Sequence, residues 1–219
     1  MQIIIPSYKI ESEINGDELL QQIEKVGRTC YKSENKISPD SARSFVSSLI
    51  KNGHEAMIEH NAITVRFICD RGVSHEIVRH RIASFGQEST RYCNYSKDKF
   101  NKEINVVDIT SAIHLDTKVK DLPPEAINAI VSEWTMAMEN AEKHYMKMIE
   151  LGATPQIARS VLPTSVKTEI VVTMNLREWR HFFKLRTPLS AHPQMRELTI
   201  PLLEDFKKLI PCVFDDILY

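Results

Sequence analysis

Apolar and polar positions alternate along this chain with two different rhythms. Short runs rich in β-branched residues, at 2–6, 63–69, 104–109 and 169–173, predict strands. Helical periodicity or start signals mark 17–26, 39–52, 72–83, 124–151, 155–161, 176–185 and 192–210. In the longest of these, Ile127, Ile130, Val131, Trp134, Met138, Ala141, Tyr145 and Met148 share one face, and Gly152 supplies a stop. Such a stripe predicts a core or subunit contact rather than a cofactor box. Strands and helices are mixed without regular alternation, repeats or a Pro/Gly-rich linker. The expected fold is therefore α+β or mixed α/β: a single domain over 1–219 with a central sheet flanked by helices.

Composition narrows the function classes. With 42% hydrophobic residues in 219, one substantial core can be buried. The 28 basic and 29 acidic side chains nearly cancel, so net charge gives no support to a nucleic-acid partner, and any anion site must be local. The apolar run at Ile3 to Ile5 stops at Pro6, far short of a signal-peptide core or a membrane span. A cytoplasmic protein with no membrane partner is expected. Cys30, Cys69, Cys93 and Cys212 stand far apart with no CxxC pair, which predicts free thiols and no zinc site.

Two stretches concentrate cations. From Arg159 to Arg196 there are seven Lys or Arg against two Glu, together with His181 and His192. The other runs from Glu76 through Arg79-His80-Arg81 to Arg91-Tyr92. A helix continuing to Ala83 would set Glu76, Arg79 and His80 on one face. Gly86 would then turn the chain, and Gln87, Ser89 and Arg91 would alternate in an extended segment. Arginine offers a planar fork for a phosphate or a uracil edge. An Arg-His-Arg triplet alone is more often a solvated, ion-paired face.

The spacing changes that reading. Arg79-His80-Arg81, seven residues and then Ser89 resembles the signature of the flavin-dependent thymidylate synthases. Gly53-His54-Glu55 with Glu59-His60, Ala158 to Pro163, Asn175-Leu176-Arg177 and Leu185-Arg186 match the family's other blocks in order. Glu76, Gly86, His181 and Ala56 depart from its commonest pattern. The resemblance implies dUMP contacts at Glu76, Arg79, Gln87, Glu88, Ser89, Thr90, Arg91, Arg159 and Arg186. It implies FAD contacts at Ala56, Glu59, Arg79, His80, Arg81, Gln87, Asn175, Leu176, Arg177, His181 and His192, with His54 lining the same region, and a homotetramer with shared active sites.

The implied reaction is reductive methylation of dUMP to dTMP. 5,10-Methylenetetrahydrofolate is the carbon donor, NADPH-reduced FAD gives the hydride, and tetrahydrofolate leaves. Arg186 is expected to be the catalytic residue, favouring the N3-deprotonated, electron-rich uracil. Ser89 has no adjacent general base and is expected to donate to substrate rather than attack it. Three other classes compete. A zinc protease fails because HExxH needs its second histidine at position 58, which is Ile58. A cysteine-dependent synthase would need an activated thiol, whereas Ile210, Val213 and Phe214 around Cys212 suggest packing. A non-catalytic nucleotide- or RNA-binding module, with Tyr92 and Tyr95 stacking bases, is the alternative; a yellow chromophore in the purified protein would separate the two.

Overall fold

The computed structural model describes residues 1–219 as a mixed α/β protein. Its strands form two sheets rather than the single central sheet expected. One is two-stranded and parallel: β1 (Gln2–Ile4) beside β5 (Asn105–Val107), with Gln2 opposite Asn105 and Ile4 opposite Val107. The other has the order β2-β3-β6-β4, from β2 (Ser7–Ile10), β3 (Ala62–Asp70), β6 (Lys167–Asn175) and β4 (Ala83–Gln87). Buried and half-buried positions alternate along β6, the period-2 signature of a pleated strand.

The helices are α1 (Gly16–Thr29), α2 (Ser41–Lys51), α3 (Arg71–Ile77), α4 (Thr110–Leu115), α5 (Pro124–Glu150), α6 (Pro155–Ala158), α7 (Leu176–Arg186) and α8 (Pro193–Leu209). Gly152 closes α5 at φ +96°, a conformation that glycine adopts without strain, and Ala153 N–H reaches back to the Met148 carbonyl.

Several expected boundaries move. The strand at 2–6 ends at Ile4, and a separate strand begins after Pro6, which has no N–H to give a ladder. The helix expected over 72–83 stops at Ile77. Val78 is its C-cap, and Ala83 to Gln87 enter the sheet as β4, so Glu76, Arg79 and His80 do not share a helical face. Past β4 the chain turns instead of staying extended, because Ser89 C=O accepts from both Tyr92 and Cys93 N–H. The helix expected over 155–161 is α6 followed by a single 3-10 turn at Arg159–Val161. Helix α4 and the 3-10 stretch Glu55–His60 had no sequence signal.

Contacts divide the chain into two compact units. The first comprises Met1–Tyr8, Phe67–Arg79 and Phe85–Val171; the second comprises Lys9–Arg66, His80–Ser84 and Val172–Tyr219. In the first, Tyr95, Ile104, Val106, Met138, Tyr145, Ala158 and Val166 form a buried cluster, so α5 contributes Met138 and Tyr145 from its stripe. In the second, Trp179, Phe182, Phe183, Phe206 and Phe214 interlock mostly edge to face, with ring centroids 5.2–5.8 Å apart. This cluster fixes the inner face of α7, and the outer face builds a site. No helix is long and apolar enough to cross a membrane.

Candidate active site

Helix α7 organises the second unit's cavity. The Asn175 side chain caps it by accepting from Glu178 N–H at 2.8 Å. Arg177, His181 and Lys184 then follow at i, i+4 and i+7, which sets all three along one face. With Glu55, Glu59, Arg81, Ile82, Asn175 and Glu178 they line a cavity of about 480 Å³. Arg177 is paired with Glu59 at 2.5 Å, and its Nε lies 3.9 Å from Glu55. Glu55 is anchored from behind by Arg180 at 2.9 Å. Arg180 is 1% exposed and also holds both Asp216 oxygens and the Val213 carbonyl.

Behind this wall lies His80. Its Nδ1 is 2.9 Å from Glu178 Oε1, and Arg186 Nε donates to its Nε2 at 3.1 Å. Burial, then the Arg186 charge, then His181 push the imidazole pKa down to about 4. The ring is therefore neutral near pH 7, and its contact with Glu178 is a hydrogen bond to a carboxylate rather than an ion pair. Burial also raises the Glu178 pKa, against opposing effects of His181 and an Arg81 backbone hydrogen bond. His80, Glu178 and His181 bring ligand atoms within 4.8 Å of one another. A cation is poorly served there, because both His80 nitrogens are engaged and one faces a guanidinium.

The first unit has its own cationic cavity, also about 480 Å³. Arg71, His75, Thr90, Gln156 and Arg159 are among its lining residues, and Arg159 Nη1 donates to Thr90 Oγ1 at 3.3 Å. Two guanidinium groups with a hydroxyl suit a phosphate. A smaller cavity, about 280 Å³, contains Glu88, whose carboxylate is taken by Lys167 at 2.8 Å and by Tyr95 Oη at 3.0 Å.

The expected site residues thus fall into distinct groups. Glu59, Arg81, Asn175, Arg177 and His181 converge on one cavity, with His80 and Arg186 linked behind it. Thr90 and Arg159 share the other. Gln87 spends its amide on Ser74 and Thr168. Arg79 is exposed, with Nε on the His75 carbonyl. The Ser89 hydroxyl accepts from Arg91 N–H, and the Arg91 guanidinium lies 5.3 Å from the Tyr92 ring centroid. Glu76 is half-buried on α3. Ala56 and His192 are exposed and line neither cavity; His192 caps α8. The Leu176 side chain is fully buried, so only its backbone can face a ligand. Sequence reasoning missed Arg71, His75, Glu178 and Lys184, and named Glu55 only within the Gly53-His54-Glu55 block, with no contact assigned to it. Lys184 was findable, since it continues the Arg177–His181 face.

The fold and its cavities define a mixed α/β protein with two cavities lined by charged and polar side chains. The chain belongs to the thymidylate synthase complementing protein family, whose match covers residues 14–212. It is 36% identical over 174 residues to a flavin-dependent thymidylate synthase of Pyrococcus horikoshii, spanning 79% of this chain and 66% of that one, just under two thirds of the relative. It is 32% identical over 216 residues to one of Corynebacterium diphtheriae, spanning 95% and 82%. A crystal structure described as the UMP/dUMP methylase PolB from Streptomyces cacaoi with 5-Br dUMP shares the fold, with a TM-score of 0.80 at 21% identity over 98% of this chain and 96% of that one.

Proposed function

We infer that this chain is an enzyme that methylates dUMP to dTMP in the manner of its family, depending on FAD. 5,10-Methylenetetrahydrofolate serves as carbon donor and NADPH as the source of reducing equivalents. One observation carries the reading for this chain's own residues: Arg186 is held through its Nε by a neutral, buried His80, beside a cavity lined by Arg81, Arg177, His181 and Lys184 together with Glu55, Glu59 and Glu178.

The residues present fit a flavin dinucleotide. Arg81, Arg177 and Lys184 offer positive charge for a pyrophosphate, which must draw Arg177 from Glu59 and Lys184 from Glu55, and Ile82, 84% exposed, offers an apolar face beside them. The bound flavin, once reduced, supplies hydride. The protein's share is binding, orientation and electrostatics. Arg159, Thr90 and Arg71 offer two guanidinium groups and a hydroxyl suited to a phosphate. Arg186 sets fixed positive charge beside the uracil and so favours its electron-rich, N3-deprotonated form, which raises nucleophilicity at C5 without a protein nucleophile. Cys212 is not needed as one. Burial raises its thiol pKa, so little thiolate is present.

The apolar stripe on α5, of which only Met138 and Tyr145 are buried in one chain, supports a homotetramer whose sites draw on several copies. The family match runs through both units, which supports treating 1–219 as one synthase domain.

Arg186→Lys tests the assignment. It should keep flavin and much of the dUMP affinity but lose the planar fork. Single-turnover conversion at saturating dUMP with pre-reduced enzyme should fall by roughly a hundredfold. Normal turnover with weakened dUMP binding would make Arg186 a binding residue only.

A further inference from the structure

The hydrogen bonds that meet at His80 leave no freedom in where its proton sits. An arginine Nε–H can only donate, so the His80 nitrogen facing it at 3.1 Å is the bare one, and the ring proton is on Nδ1. That proton needs an acceptor, because His80 is only 4% exposed. The acceptor is Glu178 Oε1 at 2.9 Å, in a carboxylate also steadied by the Arg81 backbone. Donation therefore runs one way, from Arg186 to His80 to Glu178.

Helix geometry explains why a relay is needed. Glu178 and Arg186 stand near opposite ends of α7, about two turns apart, too far for direct contact across the helix surface. The His80 ring, carried by a segment outside the helix, spans the gap. It is wedged edge-on against Phe182, with centroids 4.9 Å apart, and His181 approaches at 5.7 Å. With the ring plane set by packing and its proton set by Glu178, the bare Nε2 gives Arg186 Nε–H an acceptor in a fixed place.

We propose that Glu178 is a positioning residue for the methylation: it fixes His80 as the Nδ1–H tautomer, and through that ring it aims the Arg186 guanidinium at the uracil. The proposal rests on the reading of Arg186 given above. Without the carboxylate, the Nδ1 proton is stranded in a buried site. Moving it to Nε2 then sets two N–H groups against each other and breaks the bond from Arg186 Nε.

The tautomer is read directly by long-range proton–nitrogen correlation on the full chain labelled with [15N]histidine, with the His80 signals assigned from their loss in His80→Gln. In the unmodified protein Nδ1 should be protonated and Nε2 bare. Glu178→Ala should shift the ring toward Nε2–H and slow single-turnover methylation about tenfold or more, as loss of an orienting outer partner does. Glu178→Gln, whose amide oxygen can still accept, should restore most of the tautomer and of the rate. In Arg186→Lys/Glu178→Ala the rate should be no lower than in Arg186→Lys alone, because Glu178 acts only through Arg186.

An Nε2-protonated His80 in the unmodified protein overturns the proposal even if no variant folds. So does a Glu178→Ala ring that keeps its tautomer, or rate losses that multiply in the double variant. A normal rate for Arg186→Lys by itself defeats the reading of Arg186 and with it the task given to Glu178. A wrong tautomer defeats only the latter, so the two failures are told apart.

Discussion

His80 carries much of the acid sensitivity of the second unit. With its folded pKa near 4, it stays neutral while an unfolded chain, whose histidines titrate near 6.5, takes up a proton. The unfolded state therefore binds more protons between these values. The stability from the neutral ring is fully present above pH 6.5, is lost as pH falls toward 4, and changes no further below that. The loss amounts to about 3 kcal/mol. Urea unfolding from pH 7 to 4 should show the unmodified protein losing that much more than His80→Gln; parallel curves would mean His80 is not the responsible group. At this scale the sequence is legible where spacing is local, as for Arg177 and His181. It is silent on the Glu178–His80 bond, which joins residues 98 positions apart. It also cannot show that Arg79, His80 and Arg81, adjacent in the chain, lie in three different surroundings.

Among the elements, α3 depends most on a single side chain. Asp70, 4% exposed, accepts from Val73 N–H at 2.6 Å and caps a helix of only seven residues. Asp70→Ala should lower stability by about 1–2 kcal/mol, whereas Asp70→Asn, also a good cap, should lose less. Denaturant midpoints of the three proteins decide it, and equal midpoints would remove the cap from the account. Strands β3 and β6 were legible because alternation survives in their residues. The stop of α3 was not, because no Gly or Pro marks it: residues 83–87 leave helical periodicity to pair with β6, which lies far ahead in sequence. Strand β2 has too few apolar residues to announce itself.

Across the whole molecule, α5 is the feature that a single chain leaves incomplete. Only Met138 and Tyr145 of its 27 residues are buried, and Ile130 is 39% exposed. The stripe itself was plain in the sequence. Which part of it meets its own chain, and which part is left over, depends on packing that no spacing encodes. In the proposed tetramer this surplus is covered, so Ile130→Glu should shift sedimentation velocity toward smaller species and lower flavin retention. An unmodified protein that sediments as an FAD-loaded monomer would refute the assembly.

The pairing of Arg177 with Glu59 has a kinetic meaning. An anion entering the cavity finds the guanidinium already occupied, so capture is an exchange of one charge-assisted partner for another. The net gain is the difference between two similar bonds, and the displaced carboxylate remains at the rim as a competitor for the arginine. Loading should therefore be weaker than three nearby cations suggest. Release should be faster, because the competitor is tethered at high local concentration and needs no diffusion to return.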